Sequence, residues 1–248
     1  MVAAHCIEKW GENYIWWEEK LKQYDFKGHP IMYLEVRNDD WTDEKIESYL
    51  KYLNTSIDYE LNNKCEGSIE KFNDVIRRRG MKTPVNYSPM HLDRNELEPG
   101  CTVHRSLVVR LGDLAIVPCH RTSYEEFVGG HFKTEEKEIV GVNAKNIQVL
   151  NQVWLNNMAG NAKCGACNHR MYCMKGCYGA QFESTGELLY PIESVCELFK
   201  AKNYFLYFKY NKLGMLNENS DNHFKKSIEQ DFNKKEFIKW KPIIERII

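Results

Sequence analysis

The chain has 248 residues, 43% of them hydrophobic and 28% charged, which is enough apolar material for one large core or two modest ones and too much for a disordered tail. A formal net charge of −1 gives no general attraction to nucleic acid or to an anionic membrane surface, so neither is expected as a partner. No apolar run approaches the roughly 18 residues needed to span a bilayer, and the opening stretch MVAAHCIEKWGENY lacks the zones of a signal peptide, so a cytoplasmic location is expected.

In chain order, Trp10, Tyr14, Trp17 and Leu21 recur at helical spacing and predict an amphipathic helix over 6–23 whose aromatic stripe faces a core. A break at Gly28-His29-Pro30 precedes an apolar run at 31–38 that reads as a strand. Thr42 then offers an N-cap, Asp43 and Glu44 suit the positive end of the helix dipole, and Ile46, Tyr49, Leu50 and Leu53 give the next helix its apolar face. A further helix is predicted from Ser68 to Arg79, with Ile69, Phe72, Val75 and Ile76 inward and Gly80 as its stop. Arg77, Arg78 and Arg79 fall at its C-terminal end, where positive charge is favourable without any ligand. Residues 83–89 read as one more short strand, so the first 90 residues alternate helix and strand but hold too few strands for a closed eight-stranded barrel.

From about residue 100 the pattern changes. Two β-rich runs, Ser106 to Arg110 and Leu114 to Val117, flank Gly112-Asp113 and predict a β-hairpin. Cys101 precedes the first run and Cys119 follows the second, so an antiparallel pairing should bring the two thiols near each other. A polar, glycine-containing stretch at 128–143 leads to a helix marked by Ile147, Leu150, Val153 and Trp154. Beyond a cysteine cluster, a loop with Gly179 and Gly186 is expected, then a long helix over about 192–212 that carries Cys196 near its start and stops near Gly214. A solvated loop at 217–222 and a last helix over 233–247 complete the reading.

Nine cysteines need a reason. Their number is odd and the expected compartment is reducing, so metal ligation or redox chemistry explains them better than a disulfide framework. Cys6 and Cys65 stand apart and read as small buried hydrophobes. Cys164, Cys167, Cys173 and Cys177 are spaced C-x2-C-x5-C-x3-C. Thiolates in a C-x2-C step can reach one metal from a tight turn whose backbone N–H groups point at sulfur, and Gly165, Gly176 and Gly179 suit so crowded a backbone. On spacing alone, zinc and an iron–sulfur cluster both accept this ligand set. Zinc leaves Cys101, Cys119 and Cys196 over.

The full order of Cys101, Gly112, Cys119, Cys164, Cys167, Cys173, Cys177 and Cys196 closely resembles the SPASM domain, the C-terminal auxiliary-cluster module of radical S-adenosylmethionine (radical SAM) enzymes that modify peptides and proteins. The resemblance covers about residues 100 to 200. It implies two 4Fe-4S clusters: Cys101, Cys119 and Cys177 on the first, and Cys164, Cys167, Cys173 and Cys196 on the second. It also implies an α/β to α+β fold, with a partial (β/α) barrel remnant followed by a hairpin and helices around the clusters. The corresponding modules are 1–95 for the barrel part, 96–214 for the SPASM domain and 215–248 for a C-terminal loop and helix.

Three departures from the family pattern bear on function. Gly112 is separated from Cys119 by six residues where the family has four, so a rebuilt turn is expected. The eighth cysteine expected shortly before Cys101 is missing, which leaves an open iron or a fourth ligand from His91, Asp93, Glu96 or Glu98, each of which also reads as an ordinary surface residue. The C-x3-C-x2-C spacing of the SAM-cleaving cluster is absent from the 248 residues. The chain is therefore expected to be a C-terminal portion of a longer enzyme, or a short homologue that works with a partner.

The implied role is to accept an electron or grip a peptide or protein substrate, while S-adenosylmethionine is used by a radical SAM core in a preceding region or another chain. His120, next to Cys119, falls where some relatives carry a catalytic acidic residue; it is a candidate proton acceptor, with a plain hydrogen bond to cluster sulfur or solvent as the alternative. Two other classes of function stay open: a separate electron-transfer or peptide-delivery subunit without catalysis, and a zinc-stabilised interaction domain. The open strand edges of a partial barrel would call for a partner or dimer contact.

Overall fold

The computed structural model describes residues 4–25, 41–63, 107–148, 162–169, 173, 177–188, 190–214 and 223–248. In chain order these include a 3-10 helix Ala4–Lys9, helices α1 (Trp10–Gln23) and α2 (Asp43–Asn63), strands β1 (Val108–Arg110) and β2 (Ala115–Val117), and 3-10 turns His120–Thr122 and Glu125–Phe127. Strands β3 (Gly130–Lys133) and β4 (Glu138–Val140) follow, then helices α3 (Ala162–Gly165), α4 (Tyr178–Thr185), α5 (Glu193–Lys212), α6 (His223–Glu229) and α7 (Lys235–Ile247). The described residues are thus a mixture of helices and one four-stranded antiparallel sheet, in keeping with a mixed α and β class at the coarse level. Among the described residues, no helix is long and apolar enough to cross a membrane.

The chain divides into two compact units. The first comprises Met1–Leu92, Asn168–Cys173 and Glu193–Ile248, and the second Asp93–Cys167 and Met174–Ile192.

The described part of the first unit is helical. Thr42 caps α2: its carbonyl accepts from the Ile46 N–H at 2.9 Å, and its Oγ1 accepts from the Lys45 N–H at 3.4 Å. Hydrogen bonding within this first turn, from the backbone and then from Thr42, holds the Glu44 carboxyl below its ordinary range. The predicted face of α2 is the buried one, since Ile46, Tyr49, Leu50 and Leu53 are all buried, and Ile57 extends it by a further turn. Against it lie Ile7, Trp10 and Tyr14; the Trp10 and Tyr52 rings meet edge to face at 5.2 Å.

Trp17 corrects the reading of α1. It is 49% exposed, while Glu18 is buried in the stripe that begins with Ile7, Trp10 and Tyr14. Trp17 turns outward and packs edge to face on Trp16.

Helix α5 is the most buried element of this unit, with Leu198, Tyr204, Phe205, Leu206 and Tyr210 all buried. Lys209 is buried on the same helix and donates to Asn54 Oδ1 at 2.8 Å and to Asp58, which ties α5 to α2 by a charge that has partners. Lys239 on α7 pairs with Asp43 at 2.6 Å and with Glu197, joining three helices at one end. The long helix and the last helix agree with expectation; α6, only two turns long, was not expected from the sequence.

The second unit is built on a meander with strand order β1-β2-β3-β4. Arg110 pairs with Ala115, so residues 111–114 form the first turn, and Leu114, expected in the strand, instead takes a left-handed φ of 57°. Asp113 supports that turn by accepting from the Ala115 N–H at 3.2 Å and from the Arg110 guanidinium. That guanidinium holds the Asp113 carboxyl well below the usual carboxylate range. The stretch at 128–143, read only as polar, supplies the second hairpin. The strand expected at 31–38, the helix at 68–79, the strand at 83–89 and the loop at 217–222 lie outside the described residues.

Candidate metal centre

Cys119 stands at the end of the β1–β2 hairpin, in extended conformation, and caps the 3-10 turn His120–Thr122. Its Sγ accepts from the Arg121 N–H at 3.4 Å, and its carbonyl accepts from the Thr122 N–H at 3.0 Å. A backbone N–H aimed at sulfur is a contact that a metal-bound cysteine sulfur also accepts. The exposed His120 ring lies beside it, with Nδ1 3.7 Å from Sγ. This places His120 near the sulfur and in solvent.

Cys177 stands at the start of α4 and is also extended; its carbonyl accepts from the Gln181 N–H at 2.9 Å. The sequence reading expected a loop around Gly179, but Gly179 lies inside α4 and Gly186 is the left-handed residue that ends it, with φ 77°. The glycine is needed for contact. A Cβ on Gly179 would stand 2.6 Å from Arg121 Cβ and 2.7 Å from the Arg121 carbonyl oxygen, distances no side chain tolerates.

The turn capped by Cys119 is therefore pressed against the first turn of the helix capped by Cys177. Side chains clamp the same junction. Arg121 forms an ion pair with Glu183, which also accepts from Tyr124 OH at 3.3 Å, and Phe127 meets Phe182 edge to face at 4.8 Å. Phe127, Tyr178 and Leu188 make a small core on which Cys119 packs.

Cys164 lies on α3, and the Cys167 N–H donates to the Cys164 carbonyl at 3.2 Å, which closes the C-x2-C step into a turn. Cys164 and Cys167 belong to the second unit, and Cys173 and Cys196 to the first. Cys196 sits in the first turn of α5. All six described cysteines of the motif are half-buried. Among the described residues, no three Cys, His, Asp or Glu side chains are gathered into a metal-binding group. Cys101, His91, Asp93, Glu96 and Glu98, the remaining candidate ligands, lie outside the described residues, as does Cys65, while Cys6 falls in the 3-10 helix Ala4–Lys9.

Comparison with known proteins gives no match to a family model, to a curated protein or to a solved structure.

One group of residues escaped the sequence reading. Asp231, fully buried in the turn between α6 and α7, accepts from Asn168 Nδ2 at 2.7 Å, His169 Nε2 at 2.8 Å and Tyr204 OH at 2.8 Å, and pairs with Lys234. Asn203 Nδ2 donates to His169 Nδ1 at 3.1 Å, which leaves Nε2 as the atom that carries the proton towards Asp231. Burial pushes the Asp231 carboxyl up, but the bonds from His169, Lys234, Tyr204 and Asn168 outweigh it and hold the group well below the usual range. Asn168 and His169 lie between Cys167 and Cys173, so the motif itself carried the signal. Their partner, more than sixty residues away, could not be read from spacing.

Proposed function

We propose that the chain is the auxiliary 4Fe-4S cluster-binding portion of a radical SAM/SPASM enzyme that modifies a peptide or protein after translation. The observation that carries this reading is the contact of Gly179 with Arg121, because it joins the turn capped by Cys119 to the helix capped by Cys177, two cysteines distant in sequence and assigned to one cluster by the resemblance. A zinc knuckle built from Cys164, Cys167, Cys173 and Cys177 alone would give that junction no role.

The donor set suits iron–sulfur ligation. It is all cysteine sulfur, its six described members are half-buried, and Cys119 already receives an N–H bond. Cys101, Cys119 and Cys177 would hold the first cluster, and Cys164, Cys167, Cys173 and Cys196 the second. Bound clusters would supply one-electron acceptor chemistry or an iron that grips substrate. Around them, the Arg121–Glu183 pair fixes the turn that carries Cys119, and His120 offers an exposed ring nitrogen beside that sulfur for a proton. S-adenosylmethionine cleavage belongs to a radical SAM core outside these residues, in the same polypeptide or in a partner chain. A cytoplasmic, reducing setting suits ligands of this kind.

Anaerobic reconstitution with iron and sulfide, followed by metal analysis and absorption spectroscopy, tests the proposal. The expected product is a brown protein with near-stoichiometric iron and sulfide for two clusters. A colourless protein that keeps stoichiometric zinc would instead identify a zinc-stabilised interaction domain. An iron-loaded chain that never supports substrate modification with a SAM-cleaving partner would leave electron transfer or peptide delivery as its role.

A further inference from the structure

The geometry points to Asp231 as a positioning residue for the second cluster: it holds Asn168 and His169, which stand between Cys167 and Cys173 in the sequence, on the helix that bears Cys196. The inference rests on the reading of Cys164, Cys167, Cys173 and Cys196 as one iron–sulfur site, and it deepens that reading by naming what ties the residues that precede Cys173 to the helix of Cys196.

The placement of the network supports this. His169 is 2% exposed and is gripped at both ring nitrogens, by Asp231 on one side and Asn203 on the other. Asn203 and Tyr204 lie on α5, the helix of Cys196. Cys196 and Asn203 are seven residues apart, two helical turns, so they share a face about 10 Å apart along the axis. The imidazole therefore locks to the same helical stripe that carries one ligand, four residues before Cys173 in the chain. A loop that must deliver Cys167 and Cys173 has few apolar residues with which to anchor itself. Half-buried Asn168 and buried His169 do this by converging on one carboxylate.

Asp231 is well suited to the task because its position is set independently of the loop. Its N–H donates to the Ile228 carbonyl at 2.9 Å, its carbonyl accepts from the Lys234 N–H at 2.8 Å, and its side chain also takes bonds from Tyr204 and Lys234. With four donors on two oxygens, the carboxylate uses its full acceptor capacity. Asn at this position would present an N–H to a cage of donors and release the loop.

The test uses the whole chain, metal-free and after anaerobic reconstitution, with hydrogen-exchange mass spectrometry of residues 168–173, iron analysis and circular dichroism. Asp231→Asn and His169→Ala are expected to speed exchange in that segment by about tenfold or more and to halve the bound iron, matching the loss in Cys196→Ala. His169→Gln, whose amide can replace the Nε2–H donor, is expected to restore much of both. Tyr204→Phe, which removes a bond to Asp231 but none to the loop, should lower the melting temperature and leave loop exchange within about twofold of wild type.

A helical Asp231→Asn or His169→Ala protein with wild-type loop exchange, or with full iron, overturns the inference. So does a Tyr204→Phe protein that loosens the loop equally, because the role would then be general stability. If Asp231→Asn loses its helical signal, the His169 pair carries the same decision. Wild type that takes up no iron sinks the cluster reading, while loop exchange in the metal-free chain still decides whether Asp231 holds the loop.

Discussion

Gly179 and Arg121 are in backbone contact across two elements nearly sixty residues apart, with room for a hydrogen and not for a methyl group: a Cβ on Gly179 would lie 2.6 Å from Arg121 Cβ. Each element starts at a cysteine. The contact therefore sets the separation of the Cys119 turn from the Cys177 helix as well as local packing.

Gly179→Ala should separate them. The backbone of Arg121, not the end of a flexible side chain, is what the new methyl would meet, so relief requires the turn or the helix to move. The expected loss is about 1–3 kcal/mol of stability, the usual range for forcing extra volume into a packed contact. Urea denaturation followed by the far-ultraviolet helical signal measures it, and a variant as stable as wild type would disprove the account of this junction. Reconstituted Gly179→Ala should also hold less iron than wild type, with the deficit in the first of the two proposed clusters.

Cysteine substitutions should fall into two classes. Cys119→Ala and Cys177→Ala are expected each to remove the same half of the iron, and Cys164→Ala, Cys167→Ala, Cys173→Ala and Cys196→Ala the other half. A Cys119→Ala/Cys196→Ala double variant should then bind almost none. His120→Ala should keep all of it, since the ring is exposed and beside the sulfur, not needed to shape the turn. Iron and sulfide content per chain decides all of these. A pattern in which Cys177 groups with Cys164, Cys167 and Cys173 would return the motif to a single four-thiol site.

Much of the helical part was legible because burial there follows a simple period. Ile46, Tyr49, Leu50 and Leu53 face one way at helical spacing, and Gly214, with a positive φ, follows α5 where a stop was expected. The β3–β4 hairpin was not legible, because its strands are short and mostly exposed, and Ile139 is half exposed. Helix α4 was hidden by Gly179, a residue that weakens a helix locally but is required there by a neighbour that local sequence does not reveal. The cysteines could be picked out by type and spacing. The carboxylate on which Asn168 and His169 converge could not, because Asp231 differs from any surface aspartate only through the burial that tertiary structure gives it.

Lys209 gives a prediction about the helical unit alone. It is buried on α5 and held by Asn54 and Asp58 of α2, so Lys209→Ala removes the cation and the aliphatic stem that cover this seam. Asp58 is 43% exposed and can return to water, which discounts the electrostatic share of the loss. The expected cost is about 1–3 kcal/mol, mostly from packing and the hydrogen bond to Asn54. Lys209→Met, which keeps the stem, should recover a good part of it in the same denaturation measurement.

Asp231 should give the chain an acid-sensitive component of stability. Its carboxyl is held below the value it has in the unfolded chain, about 3.9, so below about pH 5 the unfolded state binds more protons at this site than the folded state. The sign follows: the contribution is complete above that range and is lost as pH falls through the lower, folded value. His169, Lys234, Tyr204 and Asn168 face the carboxylate, and protonation would disrupt its bonds to them. Asp231→Ala should cost about 3–5 kcal/mol near neutral pH, the range for breaking a buried charged pair by removing one partner. Asp231→Asn should also be less stable than wild type near neutral pH, with a gap that narrows as pH is lowered from about 7 to about 3.5. Urea midpoints of the metal-free proteins across that range provide the check. A gap that stays constant or widens in acid would mean that Asp231 stabilises the fold by shape, not by its charge.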